Sequence, residues 1–119
     1  MEKYVDGFLL PVARADLDAY RAMATVASKV FREYGALEYY ECVGDDMHPP
    51  GMRSLLQSAA AKEDEVVVFA WIVYPSKAVR DETMGKICND PRMKAFADQP
   101  MPFDMERMGC GGFKVLVEG

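Results

Sequence analysis

Residues 65–74 read EVVVFAWIVY, and from Val66 to Tyr74 nine successive residues are apolar or aromatic. β-Branched and aromatic side chains suit a pleated, packed surface, and Pro75 closes the run, so the stretch predicts a buried strand. A strand with one wet face alternates apolar and polar residues, whereas an unbroken apolar run calls for cover on both faces. A chain of 119 residues can lay one layer of helices on a sheet but has too few residues to build a second sheet. The natural cover for the other face is a second copy of the chain. The run therefore predicts a homodimer joined through its sheet faces.

Outward from this strand, Lys3 to Val12 alternates Tyr4, Asp6, Phe8 and Leu10 with Val5, Gly7 and Leu9, a strand expected to close at Pro11. A helix is expected from Asp16, with Leu17, Tyr20, Ala24, Ala27, Phe31 and Tyr34 at three-and-four spacing and Gly35 as its stop. Residues 36–43, ALEYYECV, form a second strand with Leu37, Tyr39, Glu41 and Val43 on one face and Glu38, Tyr40 and Cys42 on the other. The connection that follows begins DDMHPPGMR, which is loop chemistry, and Ser54 with Gln57 has the spacing of a helix start.

After Tyr74, Ser76 caps KAVRDETMGKICND, a helix whose apolar positions are Val79, Met84, Ile87 and Cys88. Asp90 before Pro91 starts a short helical segment, RMKAFADQ. Residues 107–118 are expected to form the last strand, with Phe113, Val115 and Val117 on one face and Gly111 and Gly112 permitting a bulge or a close approach. The order β-α-β-(short α)-β-α-β is the split βαβ pattern. It predicts an α+β, ferredoxin-like βαββαβ domain spanning 1–119, with a four-stranded antiparallel sheet.

Half the residues are hydrophobic and 28% are charged, as in ordinary globular domains. The formal charge of −5 argues against nucleic acid and anionic membrane surfaces as partners. The opening MEKYVDGFLLPV has neither the basic start of a signal peptide nor the length of a membrane span. Cys42, Cys88 and Cys110 lack CxxC spacing and read as reduced thiols. A cytoplasmic location is expected.

Four segments, YVDGFLLPV, ALEYYECVGDD, KEDEVVVFAWIVYPS and MPFDMERMGCGGFKVLV, resemble a bacterial family of uncharacterised proteins typified by YbaA, over nearly the whole chain. The resemblance implies the dimeric α/β-barrel superfamily, in which two ferredoxin-like protomers pack sheet against sheet. That superfamily includes cofactor-free monooxygenases, haem-degrading enzymes and lactone isomerases, so what transfers is the fold rather than one chemistry. In the closing motif this chain departs from the family pattern at Met105, Glu106 and Cys110, which weakens a role for that segment in binding an acid.

Asp6 and Glu41 each interrupt an apolar strand face. A carboxylate there is costly unless paired, and if both point into one cavity either is a candidate proton-transfer group. The bland alternative is an ion pair with Arg53 or Arg107. Tyr39 and Trp71, with Phe69 and Tyr40, are candidates to line an aromatic pocket, although an aromatic on a central strand is more often core. Asp104 and Arg107 are secondary ligand-binding candidates, with turn capping and a carboxylate pair across the dimer as the structural readings. Asp45, Asp46 and His48 offer a metal site or a carboxylate-held base, against the commoner reading of a solvated acidic turn. No cofactor motif is present. The sequence thus points to a small-molecule enzyme without a tightly bound cofactor, monooxygenase- or isomerase-like, or to a non-catalytic metabolite-binding dimer.

Overall fold

The computed structural model describes residues 2–119. Its elements are β1 (Tyr4–Ala13), α1 (Leu17–Tyr34), β2 (Glu38–Val43), α2 (Leu55–Ser58), β3 (Glu65–Tyr74), α3 (Lys77–Asn89), α4 (Pro91–Ala97) and β4 (Gly109–Lys114). The four strands form one antiparallel sheet in the order β2-β3-β1-β4. This is the ferredoxin-like α+β arrangement, with the apolar run on a central strand.

Register assigns the faces. Phe8 opposes Ala70 on one side and Cys110 on the other, and Glu41 opposes Ala70, so these four residues share one face of the sheet. On that face Leu10, Val12 and Val68 pack against Tyr20 and Ala24 of α1. Farther along it, Ile72 and Tyr74 pack against Ala27, Val30 and Phe31 of α1 and Ile87 of α3. Burying this apolar stripe drives α1 onto the sheet, and Gly35, at φ 129°, ends the helix in a conformation few other residues adopt.

The opposite face carries no helical layer. Phe69, Tyr40 and Phe113 are exposed there. The rings of Phe69 and Tyr40 lie 5.5 and 5.1 Å from that of Trp71, which joins them into one aromatic cluster. In a single chain, then, the middle of the β3 run is covered on one side only.

Three sequence expectations change. β1 runs through Pro11 to Ala13 rather than closing there, because the β1–β4 ladder ends at Leu9 and Gly109. Pro11 therefore sits beyond that partner, at a local sheet edge where a missing donor is tolerated. On α3 the buried residues are Thr83 and Ile87, while Met84 and Cys88 are exposed. The hydroxyl of Thr83 donates to the carbonyl of Tyr34 at 3.0 Å, so a satisfied polar residue takes the core position. The last strand covers Gly109–Lys114 rather than 107–118, and Arg107 lies in the 3₁₀ turn Met105–Arg107 before it.

Candidate functional site

Alternation on β2 puts Tyr39 and Glu41 on the helix-covered face, at the edge of the sheet, because β2 is an edge strand paired only with β3. The Tyr39 hydroxyl donates to Glu41 Oε2 at 2.7 Å, and the Tyr20 hydroxyl reaches across from α1 to Glu41 Oε1, also at 2.7 Å. Burial, reinforced by the neighbouring Glu41 carboxylate, pushes both phenols far above their usual pKa, so they remain protonated donors. The ring of Phe103, from the segment before β4, packs edge-on against Tyr20 at 5.6 Å and fixes it from the far side.

These three side chains stand in a cleft of about 310 Å³ between α1 and β2. Leu17, Ala24, Val43 and Val68 give it apolar walls, and Arg21, Thr25 and Ser28 bring polar groups to it. Glu41 makes no ion pair among the described residues. Its charge meets phenols instead, each taking one oxygen and leaving further lone pairs on both.

Asp6 is also on the helix-covered face, but two strands away, with Ile72 and Ala70 of β3 between it and β2. It does not line the cleft. Asp6 is buried, and its nearest cation is Arg80 of α3 at 3.8 Å. Arg80 also donates to the Tyr4 hydroxyl at 3.1 Å and lies over the Tyr4 ring at 4.8 Å. The wholly buried Tyr74 hydroxyl is beside the Asp6 carboxyl without forming a hydrogen bond of good geometry, and burial and Asp6 both push its pKa up. For Asp6, burial outweighs the opposing pull of Arg80 and raises its pKa above the ordinary carboxylate value. Gly112 makes room for this cluster, since a Cβ there would lie 2.8 Å from the Tyr4 ring and 2.9 Å from the Arg80 guanidinium.

The sequence candidates therefore separate. Asp6 and Glu41 share a face but not a cavity, and the partner of Asp6 is Arg80 rather than Arg53 or Arg107. Tyr39 joins Glu41, whereas Trp71 lies on the opposite face with Tyr40 and Phe69, so no single pocket gathers the four aromatics. Asp104 caps its turn by accepting from the Glu106 amide at 3.0 Å. Arg107 pairs with Glu65 of the same chain at 2.6 and 2.8 Å and donates to the Ala60 carbonyl, an internal tie rather than a contact across a dimer. Among the described residues no three His, Cys, Asp or Glu side chains are grouped to hold a metal, so Asp45, Asp46 and His48 do not form such a set.

Sequence reasoning treated Tyr20 as core and passed over Arg80. A tyrosine on the apolar stripe of a helix, facing a strand with one acid among apolar residues, was the signal available for Tyr20.

Comparison with known proteins places this geometry in context. Residues 3–105 match the family described as protein of unknown function DUF1428. The uncharacterized protein YbaA of Escherichia coli K12 is 46% identical over 116 residues, covering 98% of both chains, and that of Shigella flexneri matches to the same extent. Among solved structures, Rv0793 from Mycobacterium tuberculosis superposes with a TM-score of 0.61 at 16% identity, over 98% of this chain and 97% of that one. A dimeric ferredoxin-like protein from an uncultured marine organism superposes with a TM-score of 0.60 at 13% identity over the full length of both. At these identities the two structures bear on the fold alone. No described helix is long and apolar enough to cross a membrane.

Proposed function

The chain belongs to the DUF1428 family, and from that premise we propose that it is a one-domain, cytoplasmic homodimer that performs cofactor-independent proton transfer on a small molecule in the α1/β2 cleft. Three free, exposed cysteines support a reducing compartment.

Shape supports the dimer. The chain is a slab of 39 × 38 × 20 Å with a radius of gyration of 15.1 Å, against about 13.5 Å for a compact domain of this length. It exposes 7892 Å², against about 6,400 Å² for a monomer of its mass. The excess, about 1,500 Å², is comparable with what one partner buries in a stable homodimer. Phe69, Tyr40 and Phe113 lie on the uncovered sheet face, where such an interface would hide them. A neighbour in fold is itself described as dimeric.

The single observation that carries the catalytic reading is Glu41, held between two protonated phenols in a cleft with no cation paired to it. A carboxylate so placed accepts a proton from a carbon next to a carbonyl. On taking that proton, Glu41 no longer needs both phenolic hydrogens, and one phenol turns to the enolate oxygen that forms. Where the substrate carries a carbon–carbon double bond beside that carbon, return of the proton to the far end of the dienolate shifts the double bond and completes an isomerisation. No electrons leave the substrate and no co-reactant is needed.

The same hydrogen bonds also fix Glu41 as a rigid acceptor, which is what a non-catalytic metabolite-binding module would use. Deuterium wash-in separates the two. Lactones, enols and oxo acids incubated with the protein in D2O and followed by proton NMR should exchange their acidic C–H, and Glu41→Gln should abolish that exchange. Binding without exchange in any of them leaves the module as the reading.

A further inference from the structure

The α1/β2 cleft is bordered by two opposite charges, Glu41 on β2 and Arg21 on α1, and neither has an ion-pair partner among the described residues. Asp18 lies one helical turn before Arg21, yet the two do not pair. Beyond the helix ladder, the Arg21 carbonyl accepts from the Thr25 hydroxyl at 2.7 Å, and its guanidinium has no ion-pair partner among the described residues. The same cleft has aliphatic lining from Ala24, Val43 and Val68. Resting on the reading of this cleft as a small-molecule site, we propose that its ligand is a compact aliphatic carboxylic acid bearing a hydrogen-bond donor, an amino or hydroxyl group, near the carboxylate.

Each part of such a molecule has a partner. Its carboxylate meets the planar guanidinium of Arg21, which recognises that group through two parallel hydrogen bonds. Its donor meets the lone pairs that Tyr20 and Tyr39 leave free on Glu41. Its hydrocarbon lies on the valines and Ala24. Wrong ligands are rejected by the same groups. A plain fatty acid would bury lone pairs of Glu41 without a donor, and an amine lacking the acid would leave Arg21 unanswered. The volume, about 310 Å³, is at the lower end of small-molecule sites, which favours a molecule of amino-acid size over a fused-ring one.

The test is a titration of the isotope-labelled protein, following amide resonances of Thr25, Glu41 and Val43, with five probes: leucine, 2-hydroxyisocaproate, isocaproate, isoamylamine and the neutral γ-valerolactone. Leucine or 2-hydroxyisocaproate should shift these resonances at least about tenfold more tightly than isocaproate or isoamylamine, a difference of about 1.4 kcal/mol. The better of the two identifies the donor. Arg21→Gln, a change at an exposed position, should remove the advantage of the acid, and Glu41→Gln that of the donor, with spectral dispersion reporting that each variant is folded. Equal binding of isocaproate, or an unchanged affinity in Arg21→Gln, overturns the proposal. Shifts from the lactone alone overturn it while sparing the reading of the cleft as a small-molecule site, and shifts from none of the five overturn both.

Discussion

The hydroxyl of Tyr39 and the carboxylate of Glu41, two residues apart on one strand, are joined at 2.7 Å on the helix-covered face of the sheet. The pleat aims both side chains the same way, and Tyr20 closes the arrangement from the helix above. Strand, helix and cleft are thereby tied at one carboxylate.

Replacing Glu41 by Leu should cost about 1–3 kcal/mol, because the Tyr20 hydroxyl, in a residue 7% exposed, is left buried without an acceptor. Adding Tyr20→Phe should return part of that loss rather than add to it, since the pair acts as a unit. Urea unfolding of the two single variants and the double one measures the coupling.

Arg80→Met should destabilise the protein by about 3 kcal/mol at pH 7, the low end for breaking a buried pair, given the 3.8 Å separation and the partial exposure of Arg80. Asp6 has a folded pKa above its ordinary value of 3.8, so its contribution to stability declines as pH rises through that window and the cost is complete above the folded value. Losing Arg80 pushes that pKa higher still. The variant should therefore lose more stability at pH 7 than at pH 4, and Asp6→Asn in the same background should remove the difference.

Glu65 behaves in the opposite sense. Its hydrogen bonds from Arg107, aided by the Lys62 amide, hold its pKa at about 2, below the usual 4.5. The resulting stabilisation is complete above about pH 4.5 and disappears as pH falls towards 2. Asp90, held low by Arg92 and Tyr34, acts in the same direction. Denaturation followed from pH 6 down to pH 2.5 should show a steeper acid loss in the natural protein than in Arg107→Met, which has already given up the Glu65 share.

Much of the fold was legible because periodicity reports burial directly. The run at Val66–Tyr74, the stripe from Tyr20 to Phe31 and the alternation in Tyr4–Leu10 each identified an element and its face. Polar residues with internal partners were harder to read. Thr83 occupies a core position because the Tyr34 carbonyl receives its hydroxyl, and Arg80 goes inward because Asp6 is there. Both facts depend on which elements meet in space. For the same reason Glu41 stood out as an acid on an apolar face, while its partner Tyr20, in the first turn of a helix with an apolar pattern of its own, did not.

In the proposed dimer the sheet has two tasks, its helix-covered face holding the Glu41 cleft and its bare aromatic face of Tyr40, Phe69, Trp71 and Phe113 pairing with a second copy. Sedimentation equilibrium at micromolar concentration tests that division most directly. A species of twice the 13.3 kDa chain mass, reduced to one chain by Phe69→Lys, is the predicted result. A stable 13.3 kDa species from the natural sequence would contradict it.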